Sequence, residues 1–231
     1  MSNKYSVLFI GNSMTYFHDM PRAIFEPMAK SAVFEVEVSS VTAGGRFLRE
    51  YLELDDEPAR EAKAALEPDQ AGQYDFVVLQ EGMPDLFTKT ETFYQAVRTL
   101  NGMIRAMGAK PVLYARMGNQ KGNPELTDDP ACTYENVYRT IVEAHRTVSG
   151  ELDIPVAWAV KAVYDLNERG VDMDLYFEDR SHPGHAGSYI AAMCVLTVLF
   201  GVDPTVVTFN GELTPAQAAL CREAVKKVQR K

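Results

Sequence analysis

One serine and one histidine, far apart in the sequence, have the residue types that acyl transfer requires. Ser13 ends the stretch Tyr5–Ser13, YSVLFIGNS, in which an apolar run stops abruptly at Gly-Asn-Ser. Serine and asparagine beside glycine are also common in turns, so the tripeptide alone does not separate a turn residue from a nucleophile. A serine hydroxyl becomes an effective nucleophile only when a base within hydrogen-bond reach accepts its proton. The role of Ser13 therefore depends on a suitable histidine elsewhere in the chain.

Histidine is the usual base for such a serine, and a carboxylate normally orients it. The chain contains four histidines: His18, His145, His182 and His185. His145 lies in the middle of an apparent helix, where a structural role is expected, and His18 has only the adjacent Asp19 as a local carboxylate. Neither of these two patterns favours a base.

His182 has the better setting. Asp179 precedes it by three residues and Pro183 follows it directly, in the segment EDRSHPGHAGSYIAA. In a tight loop this spacing allows the carboxylate to accept a hydrogen bond from one ring nitrogen while the other faces Ser13. The pattern predicts that Ser13, His182 and Asp179 act together as nucleophile, base and orienting carboxylate.

The two blocks that carry these residues, FIGNSMT and DRSHPGHAGSYIAA, resemble the SGNH (GDSL-like) hydrolase superfamily. The segments IGNS, TAGG, VVLQE and LYFEDRSHPGHAGSYIAA extend the resemblance over most of the chain, to a bacterial branch of the superfamily. The resemblance implies that Ser13 is the nucleophile and that Asp179 and His182 complete the triad. It also implies an α/β fold, a flavodoxin-like three-layer α/β/α sandwich with about five parallel strands.

By the same resemblance, three hydrogen-bond donors stabilise the tetrahedral oxyanion. The first is the N–H of Ser13, and the second is the N–H of a glycine in TAGGRFL, where Gly45 is preferred and Gly44 is the alternative. The third donor in the family is an asparagine, but Pro84 aligns with it and proline has no donor. Gln80, at the end of YDFVVLQ, is therefore predicted to supply an amide in its place.

Three further polar residues fall near the expected mouth of the site. Asn12 stands where the family has an aspartate, at a position that does not carry the proton transfer. Asn119 and Glu81 are predicted to bind substrate, with hydrogen bonding to loop backbone as the alternative role. No cluster of side chains has a recognisable metal-ligand spacing, so neither a metal nor another cofactor is expected.

Short β-rich runs alternate with stretches of helical period along the chain. The predicted strands are YSVLFI, FEVEVSSV, YDFVVLQ, KPVLYAR and IPVAWAV. Such alternation indicates a parallel sheet covered by helices on both faces. Gly108 marks the end of one helix, and Thr214, Pro215 and Gln217 form a start signal for another. In such sheets ligands bind beyond the carboxyl ends of the strands, which is where Ser13 falls.

The composition is that of an ordinary globular protein. Its 231 residues, 46% hydrophobic and 24% charged, predict one domain spanning residues 1–231. The net charge of −9 argues against nucleic acid or an anionic membrane surface as a partner. Tyr189–Phe200, YIAAMCVLTVLF, is too short for a bilayer span and predicts a buried helix. Three unpaired cysteines and the lack of a signal-peptide pattern at the first residues favour the cytoplasm.

The leading hypothesis is a serine esterase that cleaves a small-molecule ester through an acyl-enzyme on Ser13. The resemblance suggests acetyl esters of carbohydrates as the substrate class. The alternative is a non-catalytic SGNH-like or flavodoxin-like module in which GNSMT holds a sugar or a phosphate. Phosphate binding has no need of the Asp179–His182 pair, which favours the enzyme. A third possibility is a degenerate hydrolase that has lost its oxyanion hole through Pro84.

Overall fold

The computed structural model describes residues 4–127, 129 and 132–229. Its five strands are β1 (Lys4–Gly11), β2 (Glu35–Thr42), β3 (Phe76–Leu79), β4 (Lys110–Tyr114) and β5 (Val156–Ala157). All neighbouring strands run parallel, and their order across the sheet is β2-β1-β3-β4-β5. This is the flavodoxin-like strand order, whose switch point lies between β1 and β3. The predicted five-stranded parallel sheet is confirmed.

Helices connect and cover these strands. The α-helices of the described residues are α1 (Ser13–Tyr16), α2 (Glu26–Ser31), α3 (Leu48–Glu53), α4 (Glu57–Ala65), α5 (Met83–Thr88), α6 (Thr90–Ala106), α7 (Tyr134–Leu152), α8 (Ala159–Glu168), α9 (His185–Phe200) and α10 (Pro215–Gln229). A π-helical segment, Met20–Phe25, leads into α2, and three single 3₁₀ turns span Phe17–Asp19, Pro68–Gln70 and Pro204–Val206.

Side chains of β1 alternate between two cores, because successive residues of a strand point to opposite faces. Val7 and Phe9 enter one core together with residues of α2, α8, α9 and α10. Leu8 and Ile10 enter the other, together with residues of α3, α4, α5, α6 and α7. Both faces of the sheet are covered, and the middle strand β3 is accordingly buried at every residue. The edge strand β2 instead begins with exposed glutamates that alternate with buried valines. The three-layer α/β/α sandwich is confirmed.

The apolar segment IPVAWAV contains the main departure from the predicted elements. Only Val156 and Ala157 pair with β4, and the chain has already turned into α8 at Ala159. The next residues of α8 are buried, so their hydrophobicity resembles that of a strand. Periodicity alone cannot separate a short buried strand from a buried helix. In addition, helix α5, which begins beside Pro84, was not predicted from the sequence.

Most residues that were predicted to end or begin a helix do so in the structure. Gly108 follows α6 with φ +85°, a left-handed conformation that favours glycine. Thr214 accepts a hydrogen bond from the N–H of Gln217 at 3.3 Å, and its own N–H donates to Oε1 of Gln217 at 3.0 Å. This reciprocal pair is the predicted capping box of α10. Asp19 precedes the π-helical segment but makes no side-chain capping bond.

The long apolar helix is α9, which crosses one core and is buried over most of its length. The prediction of a buried helix for Tyr189–Phe200 agrees with this position. Among the described residues, no helix combines the length and the apolar character that a bilayer crossing needs. Cys194 and Cys221 are buried thiols, and Cys132 is partly buried.

Candidate active site

Ser13 is the first residue of α1, directly after β1 and beside the switch point of the sheet. Asn12 caps this helix: its Oδ1 accepts a hydrogen bond from the N–H of Met14 at 3.1 Å. Gly11 is required just before it, because a Cβ there would lie 2.6 Å from Oγ1 of Thr15 and 2.8 Å from Oε1 of Gln80. The strand therefore ends in a tight, fully packed turn that leaves the Ser13 side chain at the edge of the sheet.

The three predicted triad residues lie in one line of hydrogen bonds. Ser13 Oγ and His182 Nε2 are 2.8 Å apart, and His182 Nδ1 and Asp179 Oδ2 are 2.6 Å apart. Ser13 and His182 are 169 residues apart in the sequence, so only the fold joins them. With the proton on Nδ1, the free Nε2 is oriented to accept the proton of the serine hydroxyl.

The carboxylate of Asp179 is fixed by its own loop. Its Oδ1 accepts hydrogen bonds from the N–H groups of Ser181 and His182, both at 2.9 Å. Partial burial opposes ionisation, but these N–H groups and the bond to the imidazole together hold the pKa of Asp179 below its usual value. Asp179 is therefore ionised at neutral pH and able to stabilise an imidazolium on His182.

A phenyl ring lies flat against the imidazole of His182. The ring centroids of Phe17 and His182 are 4.4 Å apart and the planes differ by only 8°. Phe17 follows Ser13 by four residues, and the exposed ring of Phe177 meets it edge-on at 5.6 Å. Phe17 was not among the residues predicted for the site, although an aromatic residue one turn after the serine is a usable signal.

The glycine turn after β2 is tied to the serine turn by Asn12. Nδ2 of Asn12 donates to the carbonyl oxygen of Arg46 at 2.9 Å, so one amide joins both segments. Gly45 has φ +67°, which a side chain would strain, and is exposed. Gly44 lies beside the hydroxyl of Tyr16, which a Cβ at that position would approach to 3.2 Å. Both predicted glycines thus lie close to α1.

Both polar atoms of the Gln80 amide form hydrogen bonds within the protein. Its Oε1 accepts hydrogen bonds from the N–H of Asn12 at 2.9 Å and from the hydroxyl of Thr15 at 3.0 Å, while its Nε2 donates to the carbonyl of Glu81. The residue is only 1% exposed. This geometry favours a positioning role beneath Ser13 over the predicted donation to a substrate oxyanion.

Glu81 is equally buried, at 1% exposure. Its Oε1 accepts hydrogen bonds from the N–H of Gly82 at 2.6 Å and from that of Leu48, at the start of α3, at 3.2 Å. Burial raises the pKa of Glu81 to about 8, against these two stabilising bonds. Its contacts match the alternative role considered above, hydrogen bonding to loop backbone, rather than contact with substrate.

Asn119 links two loops around the triad. Its Nδ2 donates to Glu125 at 2.8 Å, and its Oδ1 accepts from the hydroxyl of Ser181 at 3.3 Å. With 1% exposure, the side chain is occupied by loop contacts and does not face the solvent above Ser13. Part of its segment, at residues 128, 130 and 131, lies outside the described residues.

The remaining histidines lie away from the serine hydroxyl. His145 is buried in α7, where its Nδ1 meets the carbonyl of Ile141 at 2.8 Å and burial lowers its pKa to about 4. His18 contacts the hydroxyl of Ser188 at 3.0 Å. Within the described part of the chain, no group of three or more His, Cys, Asp or Glu side chains has a geometry that could hold a metal ion.

Comparison with solved structures finds this architecture in several proteins. A protein from Slackia heliotrinireducens, described provisionally as an SGNH hydrolase, is 26% identical, with a TM-score of 0.70 over 85% of this chain and 100% of its own. A DUF4886 family protein from Bacteroides uniformis has a TM-score of 0.78 at 13% identity, over 97% of this chain and 94% of its own. The acetyl xylan esterase AlAXEase has a TM-score of 0.61 at 14% identity, over 84% and 100%.

No protein-family model and no curated protein sequence matches the chain. The solved structures nevertheless define its class: the chain has the fold of the SGNH hydrolases, as the sequence resemblance implies. Their shared chemistry supports an ester-cleaving hydrolase.

Proposed function

We propose that the protein is a serine esterase in which Ser13, His182 and Asp179 form the catalytic triad. The observation that carries the proposal is the continuous hydrogen-bond chain from Ser13 Oγ through the imidazole to Asp179, with distances of 2.8 and 2.6 Å. A sugar- or phosphate-binding module needs no such chain. Its presence therefore favours the enzyme over the binding module.

In the proposed reaction Ser13 Oγ attacks the carbonyl carbon of the ester while His182 Nε2 takes the hydroxyl proton. Asp179 keeps the other proton on Nδ1 and stabilises the imidazolium. As the tetrahedral intermediate collapses, His182 gives its proton to the leaving alcohol and the acyl group stays on Ser13. Water then attacks the acyl carbon while His182 removes one of its protons. The second tetrahedral intermediate collapses with cleavage of the bond to Ser13 Oγ, which receives the proton back from His182 as the acid is released.

The oxyanion of the intermediate is proposed to accept hydrogen bonds from the backbone N–H groups of Ser13 and Gly45. Backbone donors at a fixed turn are well suited to this task because they need no reorganisation during the reaction. Gln80 supports them from below by holding the N–H of Asn12 and the hydroxyl of Thr15. In this assignment the site lacks the side-chain donor of the family, because Pro84 occupies that position, but it keeps two backbone donors.

The proposed substrates are small esters, with acetyl as the acyl group. Support comes from the acetyl xylan esterase AlAXEase, one of the proteins of similar structure. We further propose that the alcohol portion of the ester is a carbohydrate. The proposed location of the protein is the cytoplasm.

The proposal is tested with p-nitrophenyl esters of increasing acyl length and with acetylated sugars, using the wild-type protein and Ser13→Ala. We expect acetate to be the best acyl group and the substitution to lower kcat at least about 10⁴-fold. Ser39→Ala, on β2, is the matched control and should retain full turnover. A fluorophosphonate probe should label the wild-type protein on Ser13 alone. Equal turnover by wild type and Ser13→Ala would exclude the serine mechanism.

A further inference from the structure

A cavity of about 160 Å³ lies beside the triad and takes no part in the reaction described above. It is formed by the segment after α1, the start of α9 and the loop that precedes α10. One wall is apolar and is made by Ala23, Ile24 and Leu213. Another part of the lining, the polar wall, is made by His18, His185, Asn210 and Glu212.

Only one aromatic layer separates this cavity from the catalytic base. Phe17, which stacks on His182, meets the ring of His18 edge-on at 5.8 Å. His18 in turn lies 3.9 Å, centroid to centroid, from His185, which follows the base by three residues. The same two chain segments therefore build the triad and the cavity.

The backbone around His18 is held in an unusual conformation. His18 and Asp19 have φ +56° and +45°, in the left-handed region that non-glycine residues rarely adopt. Such strain persists only where surrounding contacts impose it, and it often accompanies a functional surface. Here it turns the imidazole of His18 toward Ser188 and the cavity wall.

The charges around the polar wall disfavour an anionic ligand. Glu212 faces His185 at 3.4 Å, and Asp174 accepts a hydrogen bond from the N–H of His185 at 3.0 Å. Burial, with a smaller contribution from His185, lowers the pKa of His18, so its imidazole is neutral near pH 7. Nδ1 of His18 is engaged with the hydroxyl of Ser188, so Nε2 can donate or accept according to the tautomer, and a carboxylate only accepts. Such a wall suits groups that can both donate and accept, which is the property of hydroxyls.

The volume fits a single ring. A protein cavity of roughly 150 Å³ is known to hold one benzene molecule. A pyranose likewise has a six-membered ring, with apolar C–H groups on its faces and hydroxyls on its edge. We propose that this cavity binds one neutral monosaccharide ring, with its C–H face on the wall of Ala23, Ile24 and Leu213 and its hydroxyls toward His18 and Glu212. That the ring belongs to the ester substrate rests on the proposed function; the binding itself does not.

The test measures binding directly, on the Ser13→Ala protein so that no turnover interferes. Methyl β-glucopyranoside and methyl β-xylopyranoside are titrated and followed by saturation-transfer NMR, with cyclohexylamine and inorganic phosphate as the cationic and anionic probes. We expect saturable binding of a glycoside and weaker binding of both charged probes. Glu212→Gln should weaken glycoside binding about tenfold, which corresponds to the loss of about 1.4 kcal/mol.

Ala23→Trp fills the cavity from an exposed position and should abolish binding, whereas Ala106→Trp, at the exposed end of α6, is the matched control and should not change it. Tighter binding of the amine or of phosphate, or glycoside binding that survives Ala23→Trp, would overturn the proposal. The outcomes for the two proposals are separable. If fluorophosphonate fails to label Ser13 but glycosides bind, only the esterase is excluded; if esters are cleaved but no glycoside binds, only the sugar site is.

Discussion

The two halves of the candidate triad are held in opposite ways. Ser13 is buried, and its turn is held by hydrogen bonds that Thr15 and Asn12 donate to Gln80, which lies 65 and 68 positions away from them. Asp179 and His182 are partly exposed, and the bonds that hold them together span only three residues. The nucleophile is therefore positioned by the sheet, and the base by its own loop.

This difference has a physical reason. The turn after β1 must present the serine at the switch point, so it depends on the distance between two neighbouring strands, β1 and β3. The acid–base loop depends mainly on the hydrogen bonds within the loop. In addition, the ring of Phe17 stacks on the imidazole of His182 and so fixes the position of that ring relative to α1. We therefore expect substitutions in the loop to alter catalysis alone, and those beneath Ser13 to alter catalysis and stability together.

Asp179→Asn should have the largest effect on the exposed half. The asparagine can still accept the N–H bonds of Ser181 and His182, so the loop keeps its shape. Its amide, however, donates toward Nδ1 and favours the tautomer whose proton sits on Nε2, which cannot take the proton of Ser13. We expect kcat to fall about 10⁴-fold with almost no change in the melting temperature.

The adjacent exposed residue offers a control for this substitution. Glu178→Gln removes a charge from the same loop and should leave kcat within about twofold, because surface substitutions away from specific contacts have small effects. If Asp179→Asn kept kcat within tenfold of the wild-type value, Asp179 could not be the orienting carboxylate.

Gln80→Ala should have a smaller effect on rate but a clear effect on stability. Two buried donors, the N–H of Asn12 and the hydroxyl of Thr15, would lose their acceptor, at a cost of about 1–3 kcal/mol each. We expect the melting temperature to fall and kcat to fall about 10- to 10²-fold, with KM nearly constant. Steady-state kinetics and thermal unfolding on the same samples measure both.

Thr15 separates the positioning role of Gln80 from the oxyanion role. Thr15→Val removes one of the two donors held by Gln80 and should reproduce part of its effect, while Thr15→Ser keeps the hydroxyl and should not. If Nε2 of Gln80 also donated to the oxyanion, Gln80→Ala would lower kcat by about 10²–10³-fold, with the same loss of stability. Thr15→Val would then leave kcat near the wild-type value.

The contrast between local and long-range contacts also explains which features of the site could be predicted from the sequence. Asp179 and His182 interact locally, and a spacing of three residues is visible in any sequence. The parallel sheet covered on both faces also follows from the alternation of strands and helices along the chain. The partners of Gln80 and Glu81 could not be found that way, because each depends on a neighbouring strand or helix start brought close by packing. A polar residue at a strand end looks the same whether it faces solvent or a buried N–H.

Glu81→Gln should have the smallest effect on rate and a distinctive effect on stability. Burial raises the pKa of Glu81 from 4.5 to about 8, so between these values the folded protein keeps a proton that the unfolded chain has lost. The contribution of Glu81 to the stability of the folded protein is therefore fully present below about pH 4.5 and is lost as the pH rises toward about 8. Glutamine keeps the acceptor of both N–H bonds but does not titrate. We expect the free energies of unfolding of the two proteins to diverge by on the order of 3 kcal/mol between about pH 5 and pH 8, the variant being the more stable at the higher pH.

Urea denaturation across this range measures the difference directly, and other titrating groups cancel because both proteins share them. Glu61→Gln, an exposed carboxylate on α4, should give a curve parallel to that of the wild-type protein. Parallel curves for Glu81→Gln as well would mean that Glu81 is ionised in the folded state. Its burial would then need a compensating charge, and Arg49, which already pairs with the buried Asp85 at 2.7 Å, is the nearby cation that could supply it. An increase in KM with unchanged stability would instead return Glu81 to the predicted role in substrate binding.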